Sequence, residues 1–192
     1  MNLTATKIDD GIFTIESVFS PAECRSLIDR AEAIGFEAAT VRTSDGPMMM
    51  TNIRNNDRVV MQDTALASQM WQRIHYLLPT IDSSLPCSVD PQLRFYRYHP
   101  GQQFKRHKDG AVTNSLGQTS KLSYMIYLND ACEGGDTAFR EYYAVDGISH
   151  KQEFIVTPTV GMALLFRHER RHEGTPVTAG IKYVLRSDVL YA

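Results

Sequence analysis

His107 and Asp109 stand two positions apart in the segment Phe104-Lys105-Arg106-His107-Lys108-Asp109. On an extended chain, alternate side chains point to the same face and lie roughly 6–7 Å apart, so an imidazole and a carboxylate at this spacing reach one metal ion. A third ligand must come from elsewhere. His172 is placed for it, between the apolar run Met162–Phe166 and the turn Gly174-Thr175-Pro176. Two imidazoles and one carboxylate occupy one face of an octahedron and leave three positions open, which suits a redox-active iron(II) ion, whereas a structural zinc site uses four protein ligands. His107, Asp109 and His172 are therefore the candidate catalytic residues and metal ligands. An H-x-D triplet alone has a bland alternative, a solvated turn or a salt bridge, and His168 competes as the second imidazole because it shares strand parity with His172.

A later cation separates the two histidines. Lys182 follows His172 by ten residues, on a strand where Lys182, Val184 and Arg186 share one face, while the same offset from His168 falls on Thr178. A co-substrate that chelates iron through a 2-oxo acid needs a cation at its far carboxylate, and Lys182 and Arg186 are candidates to bind it. Tyr98, nine residues before His107 and aligned with Tyr96, adds a phenol for the same carboxylate. The bland alternatives are a solvated edge-strand lysine and a packing tyrosine.

Around these residues the chain divides by pattern. Ile12, Phe13, Ile15, Val18 and Phe19 form an apolar run that predicts a strand, and Ser20-Pro21-Ala22-Glu23 reads as a helix start with a capping box. Cys24, Leu27, Ile28, Ala31 and Ile34 then recur at helical spacing until Gly35. A second helix is expected from near Asp63 to Pro79, with Leu66, Met70, Ile74 and Leu77 on one stripe. Between them, Thr43 to Asn56 reads as a long surface loop of the kind that serves as a lid. From Leu93 onward short strands predominate, over 93–98, 104–108, 122–128, 137–140, 153–157, 162–166 and 182–189. The expected fold is mainly β with flanking α: a double-stranded β-helix, or jelly roll, with the N-terminal helices packed on one sheet. The expected domain organisation is one domain over 1–192, with helical support and a lid loop in 1–90 and the jelly-roll core with the metal site in 91–192.

Bulk properties narrow the function. The 192 residues suit a single domain, and a net charge of −2 offers no electrostatic footprint for nucleic acid or anionic membrane. Three cysteines, Cys24, Cys87 and Cys132, are odd in number and lack C-x-x-C spacing, so a disulfide framework is not expected and a reducing cytoplasm is. Neither a signal peptide nor an apolar stretch approaching the ~18 residues of a membrane span is visible. The expected partner is a small-molecule or peptide substrate, and nothing in the sequence speaks to oligomeric state.

Four segments together resemble the prolyl 4-hydroxylase-like branch of the iron(II) and 2-oxoglutarate dioxygenases. They are Phe95-Tyr96-Arg97-Tyr98-His99-Pro100-Gly101-Gln102; His107-Lys108-Asp109; Tyr127-Leu128-Asn129 with Gly134-Gly135-Asp136-Thr137-Ala138-Phe139; and His172-Glu173-Gly174 with Gly180-Ile181-Lys182. The opening helix Phe19-Ser20-Pro21-Ala22-Glu23-Cys24 is similar too. The resemblance implies iron(II) at His107, Asp109 and His172, 2-oxoglutarate on Lys182 and Tyr98, O₂ as co-substrate, ascorbate as an accessory, and hydroxylation of an unactivated C–H bond on a peptidyl or free amino acid. Tyr124 and Thr137 are further lining candidates, and Tyr142 with Tyr143 is where a substrate contact is sought. Arg54-Asn55-Asn56-Asp57-Arg58 resembles a segment of bacterial relatives, its bland alternative being a polar turn with surface ion pairs. Two competing classes remain: a non-catalytic cupin-like binding module, and a metal-dependent hydrolase or isomerase of cupin type that ignores 2-oxoglutarate.

Overall fold

The structure is a computed structural model and describes residues 3–39, 41–43, 46–48, 50, 52–146 and 148–192. In chain order the first half contains β1 (Ala5–Asp9), β2 (Ile12–Ile15), α1 (Pro21–Ile34), β3 (Glu37–Ala38), β4 (Val41–Thr43), β5 (Gly46–Met48), β6 (Asp57–Gln62) and α2 (Thr64–Ile74). The second half contains β7 (Pro86–Val89), β8 (Gln92–Tyr98), β9 (Phe104–His107), β10 (Thr119–Tyr127), β11 (Cys132–Gly134), β12 (Thr137–Val145), β13 (Ile148–Val156), β14 (Ala163–Arg167), β15 (His172–Gly174), β16 (Val177–Gly180) and β17 (Lys182–Tyr191).

Both helices begin where their capping residues predict. Ser20 accepts from the Glu23 amide while the Glu23 carboxylate accepts from the Ser20 amide at 2.8 Å, and the helix closes at Gly35 with φ 94°. Asp63 caps α2 by accepting from the Leu66 amide at 2.9 Å. Arg73 of α2 then ties the two helices together, reaching Glu23 at 2.5 Å and the Val18 carbonyl at 2.6 Å.

A nine-stranded antiparallel sheet runs in the order β1-β2-β14-β10-β17-β8-β6-β3, with β7 also pairing β17. A four-stranded sheet, β13-β12-β15-β9, faces it. Strand alternation sorts the large sheet's side chains into two cores. Leu93, Phe95, Leu122, Tyr124, Ile126, Ala163, Leu165, Leu185 and Val189 pack with Cys24, Leu27, Ala31, Leu66, Met70 and Ile74 of the helices. Their neighbours Tyr96, Tyr98, Tyr127, Leu164, Phe166 and Val184 pack with Phe139 and Val156 of the small sheet. A jelly roll with its site between the sheets follows from this division.

Three expectations are corrected. The N-terminal half is more than helical support, because it contributes β1, β2, β3, β6 and β7 to the large sheet. Ala5–Asp9 and Asp57–Gln62 carry too little alternation to announce strands, and become strands by pairing with distant partners: β1 with β2, and β6 with β8 across Val59↔Phe95. The expected loop over Thr43–Asn56 is in part a hairpin, with Val41↔Met48 and Thr43↔Gly46 in register. The strands expected over 137–140 and 153–157 extend into one long hairpin, β12–β13, closed by Val145↔Ile148 and leaving Tyr142 and Tyr143 exposed. Among the described residues no helix is long and apolar enough to cross a membrane.

Candidate metal centre

Strand pairing brings the imidazoles together. β15 pairs with β9 so that His172 lies opposite His107, and their rings stand 4.3 Å apart between centroids. Asp109, just past the end of β9, is anchored by its amide to the His168 carbonyl at 3.1 Å and turns its carboxylate toward both rings. His107 Nε2 lies 3.6 Å from Asp109 Oδ1, and His172 Nε2 lies 3.8 Å from Oδ2. The three ligand atoms fall within 4.8 Å of one another, with no fourth His, Cys, Asp or Glu in the group among the described residues. Each imidazole turns its Nδ1 to a backbone carbonyl, His107 to Lys105 at 2.8 Å and His172 to Arg170 at 3.0 Å. A carbonyl only accepts, so Nδ1 carries the hydrogen and each Nε2 lone pair points at the common centre.

Charge state agrees with this geometry. Burial pulls His172 down to about 4, keeping it neutral and ready to coordinate. Burial alone would raise Asp109, but the Arg186 guanidinium at 2.9 Å holds its carboxyl well below the ordinary range. Ser123 Oγ donates to Asp109 Oδ2 at 2.5 Å and also meets His168 Nδ1 at 3.0 Å, while His168 Nε2 meets Ser120 Oγ at 2.9 Å. A donor set of two imidazoles and one ionised carboxylate, with no fourth such side chain among the described residues, fits iron(II) with open positions.

The pocket beside this cluster is lined by Tyr96, Tyr98, Phe104, Met125, Thr137, Lys182, Val184 and Arg186. Lys182, 3% exposed, lies opposite Tyr98 in the β8–β17 register, with its Nζ 5.5 Å from the Tyr98 ring centroid and 5.3 Å from that of Tyr127. Its ammonium donates to the Gly135 carbonyl, and no carboxylate lies within ion-pair distance among the described residues. Burial lowers Lys182 to about 8, so it is a cation at neutral pH. Burial pushes the Tyr98 phenol up to about 12, so it stays a donor. The Thr137 hydroxyl bonds that of Tyr127 at 2.7 Å. A larger cavity of about 360 Å³, lined by Phe13, Leu77, Ile81, Leu122 and Arg167 among others, contains no histidine or cysteine and is separate from this chemistry.

Two sequence expectations change. Tyr124 does not line the pocket: its parity on β10 sends it to the helix side, where it is buried in the other core. Tyr127 and Met125 take the inner face, which counting alternation from Tyr127 would have found. Arg186 shares the inner face with Lys182 as expected, yet its guanidinium pairs with Asp109 and, at 3.3 Å, with Asp188. His168, read as a surface residue or one that supports a ligand, takes the second of these places: it is buried and meets Ser123, which donates to Asp109. Phe104, stacked on His107 at 3.6 Å, was missed because it stands three positions before His107. A bulge between the His172↔His107 and Gly174↔Phe104 pairs turns it to the same face.

Ser123→Ala removes a hydrogen bond that orients Asp109 while leaving all three ligands in place. Its affinity for iron(II), measured anaerobically by chelator competition, is expected to fall about 10- to 100-fold with the circular dichroism spectrum unchanged. An affinity within about twofold of the unmodified protein would show that Ser123 does not position the carboxylate.

Comparison with known proteins gives the same picture. A family model described as the 2OG-Fe(II) oxygenase superfamily matches residues 93–187, from β8 into β17. A PKHD-type hydroxylase of Paraburkholderia xenovorans is 32% identical over 108 residues, covering 53% of this chain and 43% of that protein. The chain thus spans under half the length of that relative, although a PKHD-type hydroxylase of Burkholderia ambifaria, 26% identical, aligns over 88% of this chain and 73% of its own. The viral collagen prolyl hydroxylase of Paramecium Bursaria Chlorella virus-1 superposes with a TM-score of 0.64 at 20% identity, covering 96% of this chain and 99% of that one. The fold is therefore shared with a prolyl hydroxylase, and the chain belongs to the 2OG-Fe(II) oxygenase superfamily.

Proposed function

We propose that this protein is an iron(II)- and 2-oxoglutarate-dependent hydroxylase in which His107, Asp109 and His172 hold the metal and Lys182 with Tyr98 holds the far carboxylate of 2-oxoglutarate. One observation carries the reading: a cluster of two imidazoles and one carboxylate opens onto a pocket that also contains a buried lysine with no acid partner among the described residues. When bound, iron(II) supplies the oxidising chemistry that, with O₂, converts 2-oxoglutarate to succinate and CO₂ and places one oxygen atom on a C–H bond.

The chain's own residues bind, orient and exclude water. Lys182 has one carbonyl partner and donors to spare, and a carboxylate between it and the Tyr98 hydroxyl would satisfy both. Gly135 makes room for this arrangement, since a Cβ there would stand 3.0 Å from Lys182 Cδ and its φ of +69° disfavours other residues. Met125, Val184 and Phe104 supply apolar walls that shield the reacting centre from solvent. Ser123 and Arg186 keep Asp109 ionised and fixed.

The substrate class we favour is an amino acid, peptidyl or free, and the names of the relatives make proline the first to try. Three free cysteines with no disulfide suit a reducing cytoplasm. Neither a regulatory binding module nor a cupin-type hydrolase would require a lysine at the co-substrate end of the pocket.

Purified protein given iron(II), 2-oxoglutarate and ascorbate should release succinate slowly without a substrate, and His107→Ala and Asp109→Ala should each stop it. Iron-dependent succinate release that persists in both variants would refute the ligand assignment. The lysine makes a second prediction. Because the protonated form binds the carboxylate and Lys182 titrates at about 8, affinity for 2-oxoglutarate should be level below pH 7 and fall about tenfold per pH unit above pH 8. Lys182→Arg, whose charge persists, should flatten that profile; an unaltered profile would remove Lys182 from the role.

A further inference from the structure

We propose that Arg54 binds a carboxylate of the primary substrate, on the side of the pocket walled by Tyr96 and Phe104 and apart from the lysine that serves 2-oxoglutarate. The inference rests on the hydroxylase reading for the identity of the pocket, and otherwise on Arg54's surroundings. Its guanidinium lies 4.3 Å over the Tyr96 ring and 4.5 Å over the Phe104 ring. Both rings line the metal pocket, and Phe104 is itself stacked on His107 at 3.6 Å.

Arg54 is only 5% exposed, yet no carboxylate lies within ion-pair distance among the described residues. Its Nε donates to Asn56 Oδ1 at 2.6 Å, and its buried Nη2 has no partner. Three other arginines near the site differ. Arg94 meets Asp188 at 3.0 Å, Arg97 meets Asp57 at 3.0 Å, and Arg186 meets Asp109 at 2.9 Å. A buried cation without an anion is unfavourable, and this one lies against two rings that line the metal pocket. Its charge is felt inside the pocket: burial would raise the Tyr96 phenol, but Arg54, Arg186 and Arg94 together pull it below its ordinary value.

Arg54 is also held in place rather than trailing from a loop. The Lys105 amide donates to the Ile53 carbonyl at 2.9 Å, the Gln103 amide donates to Asn55 Oδ1 at 2.8 Å, and Arg54 forms a bridge pair with Phe104. The segment is thereby stitched to β9, the strand that ends at His107. A planar guanidinium clamped between two rings with its Nη2 unpartnered has a charged donor left for a carboxylate. That group would come from a free carboxylic acid such as an amino acid, or from an acidic residue of a peptide.

The test measures binding and needs no turnover, so it is independent of whether succinate is released. Iron(II)-loaded protein saturated with 2-oxoglutarate under argon is exposed to a pool of free L-amino acids and to the same pool as carboxamides. It is likewise exposed to N-acetylated, C-amidated tripeptides centred on Asp or Glu and to their Asn and Gln counterparts. Ligand-observed NMR should detect at least one acid whose affinity exceeds its amide by about tenfold or more, and the pool in which it occurs identifies the source of the carboxylate. Arg54→Met should abolish that preference while 2-oxoglutarate affinity, read from the absorption of its iron(II) complex, stays within about twofold. Equal binding of acids and amides, or no acid bound from either pool, overturns the proposal. So does a parallel loss of 2-oxoglutarate affinity in Arg54→Met, which would assign Arg54 to the co-substrate. Should Arg54→Met fail to fold, the comparison of acid with amide on the unmodified protein still decides.

Discussion

A carboxylate buried between two strands must be compensated from within the protein, and each oxygen of Asp109 has a donor. Arg186 reaches one oxygen and Ser123 the other, and the two imidazoles face both. Arg186 is in turn shared with Asp188, which Arg94 also holds, so charge alternates from β8 across β17 to the metal centre. Without that alternation the low dielectric of the interior would favour protonated Asp109, and the ligand set would be lost. The remaining architecture serves to bring these groups within reach of one another.

Two separate cores make this possible. The helices cover one face of the large sheet with apolar side chains, so its other face is free to carry tyrosines, a lysine and an arginine toward the small sheet. A close approach locks the edge of this arrangement: a Cβ at Gly161, where φ is +78°, would stand 1.9 Å from the Phe19 carbonyl oxygen. The polar residues therefore sit on a rigid wall, and strand register sets their separation. The pairing His172↔His107 positions the imidazoles, and Lys182↔Tyr98 positions the groups at the other end of the pocket.

What could be read from the sequence was whatever local chemistry determines. The capping box at Ser20, the cap at Asp63 and the alternation of Lys182, Val184 and Arg186 are short-range patterns, and each has its counterpart in the structure. His107 and Asp109 were legible together because a two-residue spacing on an extended chain implies a shared face, and His172 because its ten-residue offset to Lys182 separated it from His168. Features that depend on distant pairing were hidden. β1 and β6 have weak alternation and exist through their partners. The bulge that brings Phe104 under His107 leaves no mark in residue type. Tyr124 was misplaced by one step of parity, and Arg54 looked like part of a polar turn because nothing near it in sequence reveals the rings that enclose it.

The central claim is that one ferrous ion is held by two imidazoles and one carboxylate with positions to spare. X-ray absorption spectroscopy of the iron(II)-loaded protein tests it most directly, using the unmodified chain beside His172→Ala. The account predicts a nitrogen- and oxygen-ligated iron with two imidazole scattering contributions and no sulfur, and the loss of one imidazole in the variant. A spectrum with four protein side-chain donors, or one that His172→Ala leaves unchanged, would contradict it.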